Sequence, residues 1–264
     1  MTLWYVELDE VDSTRWLVAG ERWLSVAELD RARALRGVAR LQHTLARALA
    51  RLAVAASCGC QATEVGLDDA RGGGVDVRLP SRAREQGLRL SISHTAGLIA
   101  VVVAPGVAVG VDVESGAVGA DLRVGAVEVD VESQHGAPRQ IEPERARRLA
   151  RRYFAAVEVA AIERVALDDV RSELLRYWTV KEAIGKALGL GLPPVLRGAV
   201  LAADAGGRLA PVALPDRSDP AQWTVHELRL GAGRVHGAVA LPRAHAQLNA
   251  VRAVGHAELA DVSE

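Results

Sequence analysis

The segment Trp178-Thr-Val-Lys181-Glu182-Ala-Ile-Gly-Lys186-Ala-Leu-Gly-Leu-Gly-Leu192 constrains this chain more than any other. It reads as a helix closed by glycines, and Glu182 and Lys186, four residues apart, leave the same face of it. One end of that pair suits a metal and the other a phosphate. Trp178 lies one turn before Glu182 and is expected to anchor the helix in a core. Upstream, Gly110-Val-Asp112-Val-Glu114 has the period of a strand. Residues two apart on a strand share a face, so Asp112 and Glu114 converge while Val111 and Val113 point the other way. Three carboxylates from two elements suit Mg²⁺, which takes hard oxygen ligands and shares its remaining positions with substrate phosphates. Each piece alone has a plainer reading: an Asp-x-Glu also marks a solvated strand edge, and a Glu-x-x-x-Lys pair is also a surface ion pair.

A third element adds to these. Leu88-Arg-Leu-Ser-Ile-Ser93-His94-Thr95 reads as a strand that delivers a serine, a histidine and a threonine at its exit. Such a histidine can reach a phosphate, or it can merely hydrogen-bond a turn.

Taken in order, Ser93-His94-Thr95, Val109-Gly-Val-Asp112-Val-Glu114 and Trp178-x-x-Lys181-Glu182-x-x-x-Lys186 resemble the surfactin-type 4′-phosphopantetheinyl transferases. The resemblance runs from about Leu24 to Pro242. It implies Mg²⁺-dependent transfer of the phosphopantetheine arm of coenzyme A to a serine of an apo acyl or peptidyl carrier protein, with release of adenosine 3′,5′-bisphosphate. Under that resemblance Asp112, Glu114 and Glu182 hold Mg²⁺. Glu182 also takes the serine proton, Lys186 neutralises phosphates and leaving group, and His94 contacts phosphate. Ser93 and Thr95 offer hydroxyls beside His94, and Lys181 joins Ser93, His94 and Lys186 in the coenzyme A site.

In the first half, Leu24-Ser25-x-x-Glu28 opens a helix carrying Arg31 and Arg33, and Arg36 follows before Gly37. A second helix, from about Ala39 to Ser57, has an apolar stripe of Leu41, Leu45, Leu49 and Leu52, which belongs to a core. Arg40, Thr44, Arg47 and Arg51 form another stripe, which on general grounds is a solvated face. The resemblance assigns Arg31 and Thr44 to the 3′-phosphate end of coenzyme A.

The chain also departs from the family. Arg71-Gly72-Gly73-Gly74 stands where a Gly-Lys-Pro is usual, so a lysine that meets the nucleotide is missing, with Arg71 or Arg78 as substitutes for its charge. Gly185 inside a helix costs about 1 kcal/mol relative to alanine unless a close approach of backbone or ligand needs the space. Val111-Asp-Val-Glu-Ser115 recurs as Val129-Asp-Val-Glu-Ser133. The first copy follows the Ser-His strand at the family's usual distance and is the expected metal pair. The second precedes a helix resembling the one that follows the family's Asp-x-Glu, so Asp130 and Glu132 remain an alternative.

With 264 residues, half of them hydrophobic, the chain can bury a substantial core. A net charge of −1 gives no sign of nucleic-acid binding. No stretch reaches the roughly 18 apolar residues of a membrane span. The expectation is an α+β protein of two similar α/β lobes, a pseudo-dimer with its active site in the cleft between them. Its expected divisions are residues 1–106, 107–243 and a loosely held tail, 244–264. Cys58 and Cys60 read as two thiols in a reducing compartment, and a cytoplasmic monomer without membrane or nucleic-acid partner is expected. Two other classes remain open: a relative that binds coenzyme A or a carrier protein without turnover, and an unrelated Mg²⁺-dependent nucleotide phosphotransferase.

Overall fold

The computed structural model describes residues 1–8, 13–69, 75–115, 141–245, 247–255 and 258–259. The repeated Val129-to-Ser133 copy and the Arg71-to-Gly74 run therefore lie outside the described residues. Helix and sheet are mixed throughout, and the chain divides into two compact units, Met1–Val109 with Gln247–Glu264, and Gly110–Ala246.

The first unit contains β1 (Thr2–Glu7), α1 (Ser13–Glu21), α2 (Val26–Ala34), α3 (Gly37–Cys58), β2 (Gly66–Asp69), β3 (Val75–Arg78), β4 (Leu88–Thr95) and β5 (Leu98–Pro105). Helix α2 starts where the sequence places it. Ser25 caps the Glu28 amide and Glu28 reaches back to the Ser25 amide, a reciprocal arrangement that satisfies two donors no helical carbonyl can reach. Helix α3 buries Leu41, Leu45 and Leu49 against Leu90 of β4 and Ile99, Val101 and Val103 of β5. It ends at Gly59, whose φ of 64° lies in the left-handed region that glycine tolerates best. That turn brings Cys58 and Cys60 together in a disulfide, which corrects the expectation of two thiols.

The second unit contains β6 (Gly110–Ser115), α4 (Pro143–Tyr153), α5 (Ala156–Arg164), α6 (Val170–Leu188), α7 (Leu192–Gly198), β7 (Val200–Ala203), β8 (Leu209–Ala213), β9 (Trp223–Leu230) and β10 (Val235–Pro242). Strands β6, β10 and β9 form an antiparallel sheet in that order. Helix α6 lies on it, with Leu174, Trp178 and Ile184 in the core. The stretch from Leu196 to Ala203 is the end of α7 followed by β7.

The tail is not loose where it is described. A final strand, β11 (Ala250–Ala253), pairs in parallel with β1, giving the first unit a sheet of order β11-β1-β5-β4. Beyond it Leu259 is fully buried and its carbonyl accepts the Trp23 indole N–H at 3.2 Å. Parallel pairing with a strand some 250 residues away leaves no local signal in the sequence, because β11 itself is short and exposed.

Candidate metal and phosphate site

The second unit brings three carboxylates to one place. Asp112 and Glu114 stand on the face of β6 that looks at α6, opposite Ala238 and His236 of β10. Gly110 begins that face, and a Cβ added to it would lie 2.0 Å from the Ala183 carbonyl oxygen and 2.6 Å from the Ala187 nitrogen. Strand and helix therefore touch backbone to backbone, and only glycine fits. With Ala183 and Ala187 seated on Gly110, the adjoining stripe of α6 presents Glu182 and Lys186 to the strand's carboxylates. One oxygen from each of Asp112, Glu114 and Glu182 lies within 4.8 Å of the others.

Asp112 and Glu114 are buried and Glu182 is half-buried. The Lys186 ammonium donates to the Asp112 carboxylate at 2.7 Å, with a third of its side chain exposed. Burial raises the Glu182 carboxyl well above its ordinary value, and the Asp112 charge adds to that more than Lys186 offsets it. For Lys186 burial pulls downward, but the carboxylates of Asp112 and Glu182 prevail and hold the ammonium above its usual range. Three carboxylates with one ammonium leave an excess of negative charge in a shielded place. Hard oxygen donors at this spacing fit a divalent cation of the Mg²⁺ kind.

His236 sits beside this cluster, across the ladder from Glu114, a residue sequence reasoning missed. Its Nε2 lies 3.0 Å from the Ser172 hydroxyl and accepts from Arg229 at 2.8 Å. Burial, with the charges of Arg229, Arg176 and Arg171, lowers its pKa to about 4. A histidine in an apolar strand gives no sequence signal of this kind, since the cross-strand partner comes from register alone.

Other expected site residues fare differently. Lys181 is not available to a cofactor. Its side chain is fully buried, paired with Glu158 at 2.8 Å, donating to the carbonyls of Leu196 at 2.7 Å and Ala199 at 2.5 Å, and lying 4.8 Å from the Phe154 ring centre. Burial lowers its pKa against the pull of Glu158. Lys181 thus staples α6 to α5 and to the end of α7, because the helix turn that exposes Glu182 must point its neighbour inward. Gly185 makes room for the Val195 side chain, 3.0 Å from where its Cβ would be, so packing and not a ligand requires it.

In the first unit His94 is exposed near the end of β4, on the face that continues Leu90 and Ile92. Ser93 and Thr95 are buried and, by the strand's period of two, face the opposite side, so their hydroxyls do not lie beside the imidazole. Thr44 is also withdrawn. It is fully buried on α3 against α1, where a Cβ on Gly20 would meet its methyl at 2.8 Å, and its hydroxyl has no hydrogen-bond partner among the described residues. Arg31 is exposed on α2 and lines a cavity of about 1210 Å³. The arginine stripe of α3 is not a solvated face, since Arg47 and Arg51 are 8 % and 4 % exposed. Arg78 also lines the cavity and is ion-paired with Asp68.

Residues 126–240 match the profile of the 4′-phosphopantetheinyl transferase superfamily. The matched span takes in α6 with Glu182 and Lys186, and also Asp130 and Glu132, and it begins downstream of Asp112 and Glu114. Among solved structures it is similar to the holo-[acyl-carrier-protein] synthase of Neisseria meningitidis, at 16% identity and a TM-score of 0.33, over 52% of this chain and 97% of that one. No curated protein matches it. Among the described residues no helix is long and apolar enough to cross a membrane.

Proposed function

We propose that the chain transfers the 4′-phosphopantetheine arm of coenzyme A to a serine of an apo acyl or peptidyl carrier protein in a Mg²⁺-dependent reaction. The observation that carries this reading is the grouping of Asp112, Glu114 and Glu182 within 4.8 Å, with Lys186 on Asp112, in a chain whose residues 126–240 match the profile of this superfamily. Asp112, Glu114 and Glu182 would hold Mg²⁺, which when bound would neutralise charge on the pyrophosphate of coenzyme A.

The chain's own groups then divide the work. The serine oxygen attacks the β-phosphorus, a new O–P bond forms, and the bond to the α-phosphate oxygen breaks, releasing adenosine 3′,5′-bisphosphate. Glu182 accepts the serine proton, the role of general base that the resemblance gives it. Lys186, held in its charged form by Asp112, stabilises the negative charge gathering on the leaving phosphate. Positioning and charge do most of the work in such transfers. Phosphate contact by His94 and Ser93 rests on the resemblance alone. So do the role of Arg31 at the 3′-phosphate end and a paired-lobe architecture.

The test is the intact mass of an apo carrier protein incubated with the protein, coenzyme A and Mg²⁺, beside an EDTA control. The expected outcome is a gain of one phosphopantetheine arm that EDTA prevents. Glu182→Gln is expected to lower the rate by on the order of 10²–10³-fold while coenzyme A binding persists. Full activity in that variant would sink the assignment of base and ligand. Binding of coenzyme A with no transfer to any carrier would favour the relative that binds without turnover.

A further inference from the structure

At the first turn of α6, hydrogen-bond donors outnumber acceptors among the described residues, and positive charge outweighs negative. The sheet beneath sets out a row, because Glu114 of β6 stands opposite His236 of β10, and His236 stands opposite Arg229 of β9. Cross-strand partners share a face. Ser172 of α6 reaches this row, its hydroxyl 3.0 Å from the His236 Nε2. Arg229 donates to the same nitrogen at 2.8 Å. A guanidinium can only donate, so Nε2 is the acceptor and its single lone pair is already engaged. The Ser172 hydroxyl is left without a full acceptor of its own.

The charge balance points the same way. Arg171, next to Ser172 and half-buried, has no side-chain partner among the described residues, and burial alone lowers its pKa. Arg229 is exposed, and the partner it has is the neutral His236. The neighbouring carboxylates are committed elsewhere. Glu227 and Glu173 pair with Arg176 at 2.8 and 3.1 Å, and Glu114 contributes its oxygen to the carboxylate cluster. Burial and the charges of Arg229, Arg176 and Arg171 together keep the His236 imidazole unprotonated. Two guanidinium groups thus gather around one imidazole with no carboxylate of their own. A guanidinium fork matches the oxygens of a phosphate, and two uncompensated charges favour a dianion over a monoanion.

We propose that Arg171, Arg229 and Ser172 bind one tetrahedral oxyanion of the phosphate class, with His236 orienting Arg229. The anion accepts from both guanidinium groups and from the Ser172 hydroxyl, supplying the acceptors that the imidazole alone does not. Ser172 precedes Glu182 by ten residues, about 15 Å along the helix, so the anion is not held by the carboxylate cluster. None of the three binding residues is among those the resemblance gives to coenzyme A. The inference does not depend on the transferase reading, and either can fail alone.

The test is calorimetric titration of the full chain with dianionic inorganic phosphate, in EDTA and saturating coenzyme A so that neither a metal nor a coenzyme A site takes up the probe. One phosphate is expected to bind, at least tenfold tighter than acetate. Arg229→Gln, at an exposed position safe for folding, is expected to weaken it at least tenfold, and Ser172→Ala two- to threefold. Arg171→Gln is expected to match Arg229→Gln, and Arg171→Lys, which keeps the charge should the half-buried position not tolerate its loss, to weaken it less. No binding to the wild type, binding that neither Arg229→Gln nor Arg171→Gln weakens, or acetate bound as tightly as phosphate would each overturn the proposal.

Discussion

The carboxylate cluster of the second unit and the arginine cavity of the first both gather like charges, but they hold them differently. In the cluster the backbone does the gathering. Strand β6 and helix α6 meet at Gly110, which holds Asp112, Glu114 and Glu182 close, and Lys186 donates to Asp112. In the cavity a side chain does it, with Glu28 drawing Arg47 and Arg51 together. The difference teaches where each region's sensitivity lies. The acids depend on a contact with no side chain in it, and the cations depend on one carboxylate.

The largest effect is therefore expected at a residue without charge. Gly110→Ala places a methyl group inside the Ala183 carbonyl and should cost more than about 4 kcal/mol, seen as a large fall in the urea midpoint. A near-normal midpoint would mean that β6 and α6 are not in backbone contact.

Next comes the staple beneath the cluster. Lys181→Met leaves Glu158 buried and unpaired, which should cost about 3–5 kcal/mol. Pairing it with Glu158→Leu should recover part of that loss. Coenzyme A affinity of the folded fraction is expected to be unchanged, and a selective loss of affinity would restore Lys181 as a ligand.

Lys186→Met is milder for the fold and sharper for chemistry. Transfer is expected to fall on the order of 10²-fold. Mn²⁺, used as a stand-in for Mg²⁺, should bind at least as tightly, because a competing positive charge has been removed. Weaker Mn²⁺ binding would contradict the electrostatics described above.

Much of this was legible in the sequence, and the boundary has a physical cause. The Ser25–Glu28 cap, the leucine stripe of α3 and the helix carrying Glu182 and Lys186 follow from local periodicity and capping, which a sequence displays directly. The pairing of Asp112 with Glu114 and of Glu182 with Lys186 was also readable from two simple periods, whereas the meeting of strand and helix rested on the family resemblance. Lys181 and Thr44 misled because family motifs name residues without saying which way each one turns. A helix that presents Glu182 outward must bury the residue before it. The pairing of β11 with β1, the burial of Arg47 and Arg51, and the placing of His236 across from Glu114 depend on long-range register, which leaves no trace in spacing.

The smallest expected effect belongs to the cavity. Burial would raise the Glu28 carboxyl, but hydrogen bonds from Arg51 and Ser25 with the Arg51 charge outweigh it and hold it below its ordinary value. A carboxyl lowered on folding adds stability that is complete above its unfolded pKa and is lost as the pH falls through the folded value. Between about pH 5 and about pH 3 the wild-type urea midpoint should therefore drop further than that of Glu28→Gln. Parallel pH profiles would mean that Glu28 does not organise the arginines.

The metal site is decided by which Asp-x-Glu copy serves helix α6. The most direct measurement is Mn²⁺ binding, followed by electron paramagnetic resonance, to the wild type, Asp112→Ala and Asp130→Ala. The geometry predicts one site that survives in Asp130→Ala and is lost in Asp112→Ala. Loss in Asp130→Ala with retention in Asp112→Ala would contradict it and move the metal pair to Asp130 and Glu132.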